Sequence, residues 1–170
     1  MHTSTHQHGF TLIELLLYVA IIGTLLTAIT AFFGIITDAR VKNQSITEVD
    51  QQGAFIMNTI TQTIRNANSI TTPAAAGTGA TLTLVVPTGG LSPTTFNLSG
   101  TTLQITEGAG AAVALSNNDV QASNLSFKNL TRSGTPGIVQ VSFTLAHTNP
   151  SGRNEYDYTK TFTSSAEVSW

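Results

Sequence analysis

The chain has no cysteine and very few charged side chains. Among its 170 residues none is cysteine, so a disulfide framework is excluded. Charged residues make up 9% of the sequence and the formal net charge is −2, so we expect no basic surface for binding nucleic acid. The length allows one modest folded domain beside a membrane-spanning segment.

Charge is missing above all from one long apolar run near the N-terminus. From Leu15 to Thr37 there are 23 residues without a charge. As an α-helix they would extend roughly 34 Å, enough to cross a hydrocarbon core of about 30 Å. Glu14 is the one charged side chain between Phe10 and Asp38. A carboxylate inside a membrane costs about 2.5–3.5 kcal/mol on insertion scales, so Glu14 needs a partner.

A cut after Gly9 would create that partner. Phe10 would then carry a new amino group, about one helical turn away from Glu14. The amine and the carboxylate could pair within one chain or between axially offset neighbouring chains. The second arrangement would make the pair a device for assembly.

The segment Gly9-Phe10-Thr11-Leu12-Ile13-Glu14, followed by the apolar run, closely resembles the class III signal of type IV pilins and pseudopilins. The resemblance implies that residues 1–9 are a leader. It further implies that prepilin peptidase cuts between Gly9 and Phe10 and methylates the Phe10 amine.

The same resemblance implies a structural subunit rather than an enzyme. It would assemble with other pilins or pseudopilins through a transmembrane helix at residues 10–37, in a type IV pilus or a type II secretion-like pseudopilus. Before assembly it would be a single-pass protein of the cytoplasmic membrane with an extracytoplasmic C-terminal domain.

Two simpler interpretations compete for the apolar run. An ordinary secretory signal would have a shorter apolar region and a small-residue cleavage site after it, and Ala39-Arg40-Val41 is a poor candidate for that site. A plain signal anchor explains the length of the run but explains neither Gly9 nor Glu14.

The distribution of basic residues conflicts with the expected orientation. The leader contains His2, His6 and His8 but no Lys or Arg, whereas Arg40 and Lys42 follow the apolar run. We give precedence to the processing motif, because prepilin peptidase cuts on the cytoplasmic side. We do not expect the three histidines to form a metal site.

Residues 38–72 are predicted to form the amphipathic second half of the same helix. Apolar or small residues recur at spacings of three and four, namely Ile46, Val49, Gly53, Ile56, Met57, Ile60, Ile64 and Ala67. Pro73 marks the predicted end.

The segment from Gln51 to Pro73 resembles J-type pseudopilins and W-type minor pilins, which implies a minor subunit. The absence of cysteine counts modestly against a major pilin, because many major pilins close a C-terminal loop with a disulfide. A major pilin that forms the filament shaft and a membrane-anchored binding module or adhesin remain the alternatives.

Residues 73–170 have the short apolar runs and turn residues of a β-rich extracytoplasmic domain. Residues 74–80 are predicted to be a loop, and strands are predicted within residues 81–86, 95–98, 102–105, 112–115, 125–127, 138–145 and 156–168. The expected fold class is therefore α+β, a long N-terminal helix packed on a small antiparallel β-sheet domain.

No catalytic constellation is visible in the sequence, and no cofactor is expected. There is no phosphate-binding loop, no Gly-x-Ser-x-Gly elbow and no His-Glu-x-x-His motif. His147 is interpreted as a surface residue rather than a base. Asn154, Glu155 and Asp157 have oxygen atoms that could bind Ca²⁺, but a solvated edge is the favoured interpretation.

Overall fold

The computed structural model describes residues 11–132 and 134–169. In this part of the chain the elements are α1 (Leu12–Arg65), β1 (Ser69–Thr72), β2 (Thr78–Gly79), β3 (Leu82–Val85), β4 (Thr94–Ser99), β5 (Thr102–Glu107), β6 (Val113–Ala114), β7 (Val120–Asn129), β8 (Ile138–His147) and β9 (Thr159–Glu167). The chain divides into two units, with the boundary between Arg40 and Val41.

The first unit consists, in its described part, of the N-terminal portion of α1. Apart from half-buried Ile36, its large apolar side chains are exposed, for example Leu12 at 80% and Ile35 at 69%. Nothing within the described part of this unit, residues 11–40, covers them, because a single helix cannot bury its own surface.

In the second unit, α1 buries one stripe of side chains. The buried positions are Ser45, Val49, Gly53, Ile56, Ile60, Thr61 and Ile64. Their spacing of three and four residues places them on one face of the helix. The predicted amphipathic stripe is confirmed at Val49, Gly53, Ile56, Ile60 and Ile64. Of its other predicted members, Ile46 and Met57 are half-buried, and Ala67 is buried but lies beyond the end of the helix.

The strands form two antiparallel sheets. The first has the strand order β1-β3-β4-β5-β6, and the second has the order β2-β7-β8-β9. In β8, residues alternate between buried and half-buried positions, with Val139, Val141, Phe143 and Leu145 pointing into the core. The helix stripe and the inner faces of both sheets contribute to one hydrophobic core, so the α+β architecture is confirmed.

Gly53 of α1 lies directly against Phe162 of β9. A Cβ atom at this position would lie 2.0 Å from Cζ of Phe162. The Phe162 ring also stacks on Phe143, with ring centroids 5.5 Å apart. Gly53 is therefore needed because the aromatic ring occupies the space where another side chain would begin.

Polar contacts join α1 to three separate parts of the β domain. The Lys42 ammonium donates to the carbonyl oxygen of Asn154 at 3.2 Å and to that of Asp157. Asn117 donates to Glu48 Oε1 at 2.7 Å.

The third of these contacts is an ion pair. Lys160 Nζ lies 2.9 Å from Asp50 Oδ1. The hydrogen bond to Asp50 raises the pKa of Lys160 above its ordinary value of 10.5.

The end of α1 differs from the sequence prediction. The helix ends at Arg65 rather than near residue 72, and residues 69–72 form β1. The N–H of Asn68 donates to the Val85 carbonyl at 2.7 Å, and β1 then pairs with β3. Residues 69–72 are Ser-Ile-Thr-Thr, and β-branched residues favour strands, so pairing with a sheet edge overrides continuation of the helix.

Most of the predicted strands are confirmed, and the differences have local causes. The hairpin of β4 and β5 turns at Gly100, whose φ of +61° suits glycine. The predicted loop at 74–80 contains the short strand β2, which pairs with β7. Strand β7 is longer than predicted because a bulge between Ser123 and Ser126 interrupts its alternation, with Asn124 at a φ of +52°.

Candidate functional site

Thr11 caps the first turn of α1. Its hydroxyl oxygen accepts a hydrogen bond from the N–H of Glu14 at 3.4 Å. Its carbonyl oxygen also accepts from Glu14 at 3.1 Å and from Leu15 at 3.2 Å. A threonine three residues before a glutamate is the sequence pattern of a capping box. The sequence signal of this cap, Thr11 followed by Glu14, is present, although the cap was not predicted.

Glu14 has a side-chain partner one turn further along the helix. The hydroxyl of Tyr18 donates to Glu14 Oε1 at 3.4 Å. Residues four apart lie on the same face of a helix, so the sequence spacing alone allows this contact. The partner predicted for Glu14 from the sequence was the Phe10 amine alone, and the contact with Tyr18 was not predicted.

Between Val19 and Thr37 the surface of the helix is apolar, and its threonine hydroxyls form hydrogen bonds within the helix itself. The hydroxyl of Thr27 donates to the Gly23 carbonyl at 2.8 Å, and that of Thr37 donates to the Phe33 carbonyl at 2.9 Å. Thr24 and Thr30 make the same kind of bond to carbonyl oxygens of the preceding turn. In lipid no water is available, so such internal bonds let threonine enter an apolar segment.

This helix also meets the length and composition requirements of a membrane span. An 18-residue stretch of α1 has a mean hydropathy of 2.4, and none of it is buried. Gly23 and Gly34 have no atom within 4 Å of a built Cβ, so both leave open space on the helix surface. Small residues of this kind allow another helix to approach closely in a membrane.

The two residues of the predicted processing site, Gly9 and Phe10, lie outside the described residues, as do the histidines of the leader. The structure therefore describes the predicted assembly residue Glu14 but not the predicted cleavage site. Thr11 is the first described residue on the C-terminal side of that site.

Residues 4–30 match a family model described as the prokaryotic N-terminal methylation motif. The chain carries a type IV pilin-like class III signal. The match spans the predicted cut after Gly9 and includes Glu14 and Tyr18. The methylation motif is that of pilin-like substrates of prepilin peptidase. No curated protein and no solved structure matches the chain significantly.

Outside the methylation motif, the titratable residues noted in the sequence make local contacts. The His147 ring stacks on Tyr156 with centroids 5.5 Å apart. Glu155 Oε1 pairs with Arg153 at 3.0 Å. Across residues 11–132 and 134–169, no group of three or more His, Asp or Glu side chains could hold a metal ion.

The β domain has an open pocket of about 450 Å³ lined by Asn68, Ser69, Ile70, Ala75, Asn129, Thr131, Thr135, Pro136, Gly137, Val168 and Ser169. Its most buried polar side chain, Asn129, already has partners. Asn129 Nδ2 donates to the Pro73 carbonyl at 2.8 Å, and Oδ1 accepts from the N–H of Thr131 at 3.0 Å. Both ends of the Asn129 amide thus form hydrogen bonds within the protein, which stabilise the wall of the pocket.

Proposed function

We propose that this protein is a structural subunit of a type IV pilus or of a type II secretion-like pseudopilus. It is made with the leader 1–9, cut by prepilin peptidase between Gly9 and Phe10, and methylated on the Phe10 amine. The observation that carries the proposal is the methylation motif at residues 4–30, placed at the start of a helix whose apolar surface is uncovered.

The exposed apolar surface supports membrane anchoring followed by assembly. Large side chains such as Leu16, exposed at 59%, and Phe32, exposed at 62%, would be unfavourable in water over a surface this long. The subunit is held in the cytoplasmic membrane by this helix, with the β domain on the extracytoplasmic side. In the filament, the same surface packs against the helices of neighbouring subunits.

Glu14 is the proposed assembly residue. In a filament the Phe10 amine of an axially offset subunit is surrounded by helices and has little access to water. The Glu14 carboxylate supplies an opposite charge and hydrogen-bond acceptors, and charge-assisted bonds are roughly twice as strong as neutral ones. Each charge offsets part of the desolvation cost of the other, and a charge left unpaired inside the filament would be strongly unfavourable, so the pair favours the arrangement in which Glu14 meets the amine.

We further propose a minor subunit rather than the major pilin. The chain lacks the cysteines with which many major pilins close a C-terminal loop, and residues 51–73 resemble J-type and W-type proteins. Quantitative mass spectrometry of sheared filaments tests this: a minor subunit is recovered at a small fraction of the main component. Filaments composed chiefly of this chain would instead identify a major pilin, and unchanged filaments after its deletion would favour an anchored binding module.

Processing is tested by mass spectrometry of the protein recovered from membranes or filaments. The mature chain is expected to begin at methylated Phe10 and to lack residues 1–9. Gly9→Leu should retain the leader, because the peptidase must accommodate the residue before the cut. Gly34→Leu is the matched control, since its position has open space around it and lies far along the chain from the cut. An assembled protein with an intact leader would refute the proposal.

A further inference from the structure

The Tyr18 hydroxyl differs from the threonine hydroxyls of the same helix in what it binds. Thr24, Thr27, Thr30 and Thr37 all donate to backbone carbonyl oxygens of their own helix. Tyr18 donates to a side chain, at 3.4 Å from Glu14 Oε1. A phenol is thus directed at the one carboxylate of the apolar segment.

The Tyr18 donor restricts the orientation of the Glu14 carboxylate. In a reciprocal capping box the glutamate turns back to the N–H of the capping residue, toward the N-terminus. Here Oε1 of Glu14 instead accepts a hydrogen bond from Tyr18, which lies about one helical turn further toward the C-terminus. Side chains of a helix lean toward its N-terminus, so the Tyr18 ring covers the turn that contains Glu14.

A neutral donor has a particular advantage at this point. It satisfies one lone pair of the carboxylate and so lowers the cost of placing Glu14 in an apolar medium. It does not neutralise the negative charge, which remains available to attract an amine. A lysine or arginine at the same position would compete with that amine.

We propose that Tyr18 is a positioning residue that selects the partner of Glu14. By holding the carboxylate toward residue 18, it favours pairing with the methylated N-terminal amine of an axially offset subunit over pairing with the chain's own Phe10 amine. The partner is the N-terminus of a second copy or of another pilin. This inference rests on the proposed function, because it requires the processed amine.

The test is zero-length carbodiimide cross-linking of filaments and membranes that contain the full, processed protein. An amide between Glu14 and the chain's own N-terminus lowers the mass of a single N-terminal peptide by that of one water. An interchain amide instead joins two N-terminal peptides into one larger product. Mass spectrometry after digestion at Arg40 therefore counts the two products separately.

Tyr18→Phe removes the hydroxyl and keeps the ring. We expect the ratio of interchain to intrachain product to fall about threefold, and at most roughly twentyfold, the range that hydrogen bonds within membrane proteins imply. Thr27→Val is the matched control, since it also removes one hydroxyl from the helix but one that is bonded to the Gly23 carbonyl. Its ratio should equal that of the wild type.

The possible failures are distinguishable. An unchanged ratio in Tyr18→Phe would overturn the positioning role and leave the pairing of Glu14 with an amine intact. Absence of both products from the processed wild-type protein would overturn the pairing itself, and with it the role of Tyr18. If Tyr18→Phe and Thr27→Val lowered the ratio equally, a general disturbance of the helix would replace the specific contact as the explanation.

Discussion

Both portions of α1 carry large apolar side chains, but these side chains are covered in different ways. In the first unit, side chains such as Ile22 at 55% and Phe33 at 61% remain exposed within the protein. In the second unit, Val49, Ile56 and Ile60 are completely buried beneath the sheets. The first portion therefore depends on lipid or on neighbouring subunits, and the second portion carries its partner in the same chain.

Their glycines show the same difference at atomic scale. Gly34 has no atom near the position of a Cβ, whereas a Cβ at Gly53 would overlap the Phe162 ring. In the first unit, glycine leaves room for a partner that comes from outside. In the second unit, the Phe162 ring already occupies that space. Glycine is therefore suited to the two portions of the helix for different physical reasons.

The largest expected effect comes from removing Glu14 in the uncovered portion. Glu14→Ala strands the amine of a neighbouring subunit, and breaking a buried pair costs about 3–5 kcal/mol, more than a hundredfold in an equilibrium. We expect normal cleavage but loss from sheared filaments, measured by quantitative mass spectrometry. Glu14→Gln should be milder because it keeps an acceptor.

The control for that experiment is Glu107→Ala, which removes an exposed carboxylate from β5. It should leave both cleavage and recovery unchanged. Normal incorporation of Glu14→Ala would refute the pairing mechanism without affecting the family signal.

In the covered portion, the largest expected effect is on folding. Ile60→Ala, made in a soluble chain of residues 41–170, should lower the free energy of unfolding by about 2–5 kcal/mol, since it leaves a cavity at a fully buried site. Urea denaturation gives the measurement. Phe55→Ala is the matched control on the same helix, because Phe55 is 55% exposed and its truncation should cost much less. Equal costs would mean that the stripe at Ile60 is not the core face.

A smaller effect is expected from Gly53→Ala. The new methyl group displaces the Phe162 ring, and overpacking typically costs about 1–3 kcal/mol, offset by the roughly 1 kcal/mol gained when alanine replaces glycine in a helix. We expect a net loss of stability in the same urea experiment. Combining it with Phe162→Leu should be less than additive, because the shorter side chain relieves the overlap. Strict additivity would contradict the proposed clash.

The smallest effect is expected from the exposed ion pair of Asp50 and Lys160. Because the folded-state pKa of Lys160 is raised, the contribution of the pair is complete below pH 10.5 and is lost as the pH rises through the raised value. The difference in urea midpoint between wild type and Asp50→Asn should therefore be constant from neutral pH upward and shrink only above that point. If the difference in urea midpoint changed between about pH 6 and 9, where histidine and α-amino groups titrate, another group would be responsible and the role of Lys160 would be contradicted.

Local sequence patterns were sufficient for the elements whose signal is periodic or compositional. The uncharged run from Leu15 to Thr37 determined an uncovered apolar helix, and the spacing from Val49 to Ile64 determined its buried continuation. The methylation motif around Glu14 could be recognised from the sequence because its residues are contiguous. Ser99-Gly100-Thr101 likewise determined the hairpin of β4 and β5.

The remaining features depend on residues that are distant in the sequence. The helix ends at Arg65 because residues 69–72 pair with β3, and β2 exists because β7 offers it an edge. The requirement for Gly53 comes from Phe162, and the partner of Lys42 is a pair of backbone carbonyls in the loop before β9. Periodicity reports which face of an element is apolar, so the sequence by itself determined the two kinds of helix surface. Which groups meet across the core is set by strand pairing and close packing, and only the tertiary structure decided that.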